Sequence, residues 1–185
     1  MAEIKKRRLG KTNLMVTELG LGAMDTPQVK EGEDALHLAL DLGIAFIDTA
    51  RIYQASEFLI GQVVRARGDR PFHIATKTIS RSINGSQYDV DTSLRLLGVD
   101  HIDLYQLDDV STPEEWEEVM REEGALNGLK TARERGLIGH IGMSSHSLEI
   151  LELAITSGEF ETVMLEYSAF HHDTEGPISL AKERD

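Results

Sequence analysis

The sequence contains no cysteine among its 185 residues. That excludes disulfides, and it excludes thiolate-held metal or iron–sulfur centres within the chain. A reducing compartment, the cytoplasm, is the expected location. Long apolar runs are missing too: no segment approaches the roughly 18 residues of a membrane span, and the opening MAEIKKRR carries charge without an apolar stretch behind it. Positive charge is scarce, with 19 Lys and Arg against 32 Asp and Glu and a formal net charge of −13. Phosphate contacts need a clustered positive surface, so nucleic acid is not an expected partner. The basic residues from Lys5 to Arg8 read as an exposed first strand. Linkers, low-complexity stretches and short repeats are also lacking, which leaves residues 1–185 as a single domain large enough to hold its own core.

What is present is an alternation of short apolar runs with amphipathic stretches, the pattern of βαβ units around a parallel sheet. A hairpin is expected within residues 5–17, from Arg7 to Val16 with its turn at Gly10 to Asn13. Six strands should follow, at Leu19–Gly22, Ile44–Thr49, Phe72–Lys77, Ile102–Leu107, Leu137–Met143 and Thr162–Leu165. Ile44 to Ile47 form a nearly unbroken apolar run, as expected of a parallel strand covered on both faces. Helices should end at Gly43, Gly68 and Gly158. Ser56 is expected to cap the second helix and Ser86 to precede the third. Thr112 with Pro113 opens an acidic first turn, and a break is expected near Gly124. A last helix should begin near Pro177. Six evenly spaced βα units indicate an α/β fold of the (β/α)8 TIM-barrel type with an N-terminal hairpin, incomplete because eight strands close such a barrel. Two sheet edges would then be open, and self-association through them is expected.

In such a fold the chemistry lies at the carboxyl ends of the strands. Asp48 ends the second strand, Tyr53 follows it, Lys77 ends the third, Asp108 the fourth, and Ser144 and Ser145 the fifth. An ammonium, a carboxylate and a phenol brought together shift each other's protonation, and the positive charge of Lys77 favours tyrosinate, which makes Tyr53 a candidate proton donor. An ordinary buried ion pair beside a core tyrosine is the competing reading. His171, His172 and Asp173 read as a solvated polar loop and not as a metal site. His146 should face a loop or cap a helix, and Trp116 should lie on the outer face of a surface helix. LGLGAM lacks the third glycine of a dinucleotide fingerprint and has no helix directly behind it.

These residues carry a resemblance. GIAFIDTARIYQASEFLIG resembles the aldo-keto reductase signature, in which a strand ends in Asp, a Tyr follows five residues later, and a Ser-Glu pair opens the next helix. RRLGKTNLMVTELGLGAM is similar to the family's hairpin and first strand. ATKT is similar to its lysine strand, SLRLLGVDHIDLYQL to its fourth unit and GLKTARERGLIGHIGMSSH to its fifth. VSTPEEWEEVMREEGAL is similar to members that carry an additional ferredoxin-like carboxyl-terminal domain. The resemblance implies an NAD(P)H-dependent oxidoreductase of aldehydes or ketones, with NADPH first and NADH as the alternative. It implies that Tyr53 protonates the carbonyl oxygen, that Lys77 assists it and that Asp48 orients Lys77. Gly20 and Gly22 would let backbone approach the cofactor, and Ser144 and Ser145 would hold the nicotinamide carboxamide.

The chain departs from this pattern at three places. Asp108 stands where the family has a His that orients the carbonyl; an ionised carboxylate there would repel the developing oxyanion, whereas a protonated acid could donate to it. Met164 stands where a Gln under the nicotinamide ring is common. The basic residues that grip the adenosine phosphate belong to an eighth unit that this sequence does not contain. An impaired cofactor-binding or regulatory homologue and a non-functional barrel fragment therefore remain as alternative expectations.

Overall fold

The computed structural model describes residues 3–68 and 70–185. Two short strands, β1 (Lys6–Arg8) and β2 (Met15–Thr17), pair antiparallel across a tight helical turn at Gly10–Thr12. Asn13 leaves that turn at a φ of 56°, a left-handed position that asparagine tolerates better than most residues. The expected hairpin is therefore present.

From there the chain alternates strands and helices: β3 (Leu21–Gly22), α1 (Gly32–Asp41), β4 (Phe46–Asp48), α2 (Ser56–Arg67), β5 (His73–Thr78), α3 (Ile83–Leu97), β6 (Ile102–Leu107), α4 (Pro113–Met120), α5 (Ala125–Glu134), β7 (Ile138–Ser144), α6 (Leu148–Ser157), β8 (Thr162–Met164) and α7 (Glu175–Glu183). Strands β3 to β8 form one parallel sheet in sequence order. This is the sequential order of a (β/α)8 barrel, curled over six strands, with β3 and β8 at its edges.

The core has the two-sided burial that parallel strands require. Every residue of β6 is buried, and Ile47, Ile74, Ile102, Leu107 and Ile141 are fully enclosed. Tyr105 belongs to the same layer because its hydroxyl finds the Ser93 hydroxyl at 2.9 Å, which satisfies its polar end inside the core. The hairpin closes the amino end of the sheet: Leu9 and Val16 face Phe46, Leu104 and Ile178 across a cavity of about 400 Å3. Its turn also meets the end of α7, where Arg8 pairs with Asp185 and the Lys11 N–H donates to the Asp185 carbonyl at 3.2 Å.

Helix ends follow local chemistry. Gly68 and Gly158 stop α2 and α6 at φ values of 70° and 74°, which L side chains resist. Thr112 makes a capping box with Glu115 at the start of α4. Three expectations need correction. Ser56 does not cap α2; it is fully buried, accepts from the Thr49 hydroxyl and donates to the Ala23 carbonyl, stitching β4 to the segment after β3. Ser86 does not precede α3 but lies inside it, donating to the Ala125 carbonyl, while Ser82 supplies the cap. Trp116 is not on an outer face: it packs against the core, its ring 6.2 Å from that of Phe160.

Candidate active site

At the carboxyl ends of the strands a cavity of about 280 Å3 is lined by Tyr53, Lys77, Asp108, Asp109, Ser144, Ser145, His146, Met164, Leu165 and Glu166. Five successive strands, β4 to β8, or the loops that follow them, supply these side chains. Parallel pairing sets their levels, since Lys77 is opposite Gln106 and Ser144 opposite Met164.

Lys77 is the centre of the arrangement. Its ammonium is almost fully enclosed and donates to the Asp48 carboxylate at 2.6 Å, the Thr49 carbonyl at 2.8 Å and the Tyr53 hydroxyl at 3.5 Å. An ammonium has three protons, and all three have an acceptor. The Tyr53 oxygen receives one of them, so the phenol's own proton is left to point elsewhere. Because Tyr53 lines the cavity, that proton is available to a group bound there. The ammonium also sits 4.8 Å from the centre of the Tyr53 ring.

Asp48 is held from two sides, by Lys77 and by the Gln106 amide at 3.4 Å. Burial raises its carboxyl above the usual carboxylate range; the Lys77 charge and hydrogen bond pull the other way, and nearby Asp108 pushes it up further. Gln106 was not found from sequence. Its signal was the period of two along β6, which puts Leu104, Gln106 and Asp108 on one face.

Asp108 is only 6% exposed. Its Oδ1 accepts from the Ser144 hydroxyl at 2.9 Å, and Ser144 in turn accepts the Asp109 N–H at 2.8 Å. Arg81 pins the loop from outside, donating to the carbonyls of Asp108 and Asp109 at 2.8 Å each and pairing with Glu115 at 3.1 Å. A further tie joins the α3 and α5 entrances, where Ile83 donates to the Glu123 carbonyl and Ala125 to that of Arg81. Arg81 carried no local signal, because an isolated basic residue before a cap reads as surface.

Ser145 lines the cavity but its hydroxyl is turned to the loop, accepting the Ser147 N–H at 3.0 Å. His146 also lines the cavity; it does not cap α6, since Ser147 does. Met164 is 37% exposed in the same wall. Gly22 is opposite Asp48 in register, and a Cβ there would meet nothing within 4 Å. Gly20 packs instead on the Phe46 ring and does not line the cavity. The arrangement thus brings together Asp48, Tyr53, Lys77, Asp108, Ser144, Ser145 and Met164, and leaves Gly20 aside.

A parallel βα barrel with its polar side chains gathered on the carboxyl rim defines the class: an α/β-barrel protein with an enzyme-type site. Within that class the aldo/keto reductase family model matches residues 18–185, and the chain belongs to this family. It is 32% identical over 197 residues to "Probable aldo-keto reductase 1" of Glycine max, with 96% of this chain and 55% of the relative aligned. It is 33% identical over 175 residues to "Aldo-keto reductase yakc [NADP(+)]" of Schizosaccharomyces pombe, covering 86% of this chain and 50% of the relative. Among solved structures, aldo-keto reductase AKR11C1 from Bacillus halodurans, holo form, superposes with a TM-score of 0.85 at 27% identity, over 98% of this chain and 63% of that one. The chain therefore spans about half the length of the curated relatives named here.

Proposed function

We propose that the chain carries the proton-donating part of an NADPH-dependent aldehyde or ketone reductase site, with Tyr53 as the general acid. The observation that carries this reading is the Lys77 ammonium joining Asp48 and Tyr53 at the base of the rim cavity. Lys77 stabilises negative charge on the phenol oxygen as its proton leaves, and Asp48 with the Thr49 carbonyl fixes the ammonium in place. The relative named for NADP(+) supports NADPH as the cofactor, with NADH as the alternative. The cavity, about 280 Å3 and open to solvent, is close to the smallest ligand sites, about 300 Å3, and takes a nicotinamide head with a small carbonyl compound. The open space beside Gly22, together with Ser145 and Met164, would hold the head. The cofactor supplies the hydride when bound. Action in the cytoplasm belongs to the same reading and rests on the lack of cysteine; no helix among the described residues is long and apolar enough to cross a membrane.

The test is NADPH oxidation by the purified chain against a panel of short aldehydes. The Tyr53→Phe variant should lose about a hundredfold or more in rate while keeping its fold, the usual share of a positioned general acid. Equal rates for the two proteins would remove Tyr53 from the reaction. A second reading, a cofactor-binding homologue with impaired turnover, is favoured by one observation: Asp108 lines the cavity with Tyr53, where a carboxylate would oppose negative charge developing on a carbonyl oxygen. NADPH binding without turnover across the panel would select it.

A further inference from the structure

The Asp108 carboxyl, the most buried acid lining the cavity, has half its bonding capacity unused among the described residues. Oδ1 accepts from Ser144, whereas Oδ2 has no hydrogen-bond partner among the described residues although the residue is only 6% exposed and lines the cavity. The cations nearby are committed elsewhere. Lys77 is shared by Asp48, the Thr49 carbonyl and Tyr53. Arg81 is spent on two backbone carbonyls and on Glu115. His146 belongs to the same wall but makes no hydrogen bond to Asp108. Glu166, across the cavity, pairs with His171, and Asp109 adds a further acid at the rim. A carboxyl oxygen that opens on a small cavity, with no ion-pair partner among the described residues, has the chemistry of a counter-charge for a bound cation.

We propose that this site selects small carbonyl compounds carrying an ammonium group near the carbonyl, with Asp108 binding the ammonium through Oδ2 while Tyr53 faces the carbonyl oxygen. The proposal rests on the reductase reading above and names its substrate class. Short amino aldehydes and amino ketones fit, because Tyr53 and Asp108 line the same cavity of about 280 Å3 and can reach the two ends of a small molecule. On this account Ser144 is a positioning residue: it receives the Asp109 N–H, gives its own proton to Oδ1 and so turns Oδ2 to the cavity. The substrate's positive charge also offsets the repulsion that a carboxylate would exert on a developing oxyanion, the difficulty raised by having Asp in place of His.

Binding of unreactive alcohols tests this without any need for turnover. Protonated 3-amino-1-propanol, 1-butanol of nearly the same size and 3-hydroxypropanoate are titrated into the full chain at neutral pH and followed by NMR. The ammonium alcohol should bind at least tenfold more tightly than 1-butanol and shift the amides of Asp108 and Ser144, and 3-hydroxypropanoate should bind weakest. Raising salt from about 10 mM to about 500 mM should reduce the preference, and this requires no variant. Asp108→Asn, which keeps the acceptor for Ser144, should reduce it to less than threefold. Equal or tighter binding of 1-butanol, or a preference unchanged in Asp108→Asn, would overturn the proposal. NADPH oxidation is read separately: an ammonium preference without turnover removes the reductase reading and leaves the charge assignment, whereas turnover of neutral aldehydes without that preference does the reverse.

Discussion

An enclosed charge is tolerated when each of its bonding positions is filled, and two residues show this by different routes. Lys77 fills its three positions with a carboxylate, a carbonyl and a phenol. Asp103, at the amino end of β6, is met by Arg70 at 2.6 Å, by His73 at 2.8 Å and by the Ile74 N–H at 2.9 Å. Burial alone would raise the Asp103 carboxyl, but the His73 and Ile74 hydrogen bonds and the charges of Arg70 and His73 outweigh it and hold it below the usual range. A lowered folded value means stability that is present above the ordinary carboxylate value of about 4 and is lost as pH falls through the folded one. Asp48, raised in the fold, slopes the other way, so the useful comparison is between variants. Urea unfolding between pH 7 and about 2 should show the wild type losing more stability on acidification than Asp103→Asn, which starts about 1–3 kcal/mol lower at neutral pH. Parallel pH profiles would show that the Asp103 cluster adds nothing. At this scale Asp48, Tyr53 and Lys77 were legible because each ends or follows a strand, whereas Arg81 and Asp103 were not, since their partners come from elements distant in sequence.

Between elements, two close helix contacts are set by an absence. Gly128 in α5 lies so close to α3 that a Cβ would stand 2.0 Å from the Ser86 hydroxyl and 2.6 Å from the Ile83 carbonyl. Gly61 does the same for α2, where a Cβ would come within 2.1 Å of the Leu96 carbonyl. Alanine favours an isolated helix by about 1 kcal/mol over glycine. Here the backbone contact decides, and Gly128→Ala should lower stability by about 1–3 kcal/mol in chemical denaturation. A gain would mean that α3 and α5 can part at no cost. Helix ends were readable because Gly68, Gly158 and Thr112 with Pro113 act through their own backbone or the next turn. Ser56 and Ser86 were misread for the opposite reason: a serine hydroxyl suits a cap, but both are drawn to distant carbonyls of the packed core. Strand limits shortened similarly, β4 from Ile44–Thr49 to Phe46–Asp48, since Ile44 and Ala45 bond to the helix end and hairpin before the ladder begins.

Across the whole molecule, βα alternation was enough to give the sheet order, but the number of residues lining each wall depends on curvature that no local pattern encodes. The sheet as described ends in β3 and β8, whose outer backbone groups have no ladder partner among the described residues. Such edges pair with other chains unless blocked. We expect sedimentation velocity on this chain to show association that grows with concentration and weakens when Val163→Lys charges the β8 edge. A single monomer at every concentration, with one cooperative melt, would show that the edges are tolerated. The rim is uneven in another way. Arg81, Ser144 and the α3–α5 tie brace the wall that holds Asp108, while the facing stretch after β8 leaves Phe170 91% and Tyr167 52% exposed. A ligand entering the cavity therefore meets a braced wall on one side and a more exposed one on the other. Each side chain brought to rest on binding costs about 0.5–1.5 kcal/mol, and on the open side Leu165 and Glu166 are the ones that line the cavity. Affinity can then be tuned there without moving the group that reads the ligand's charge.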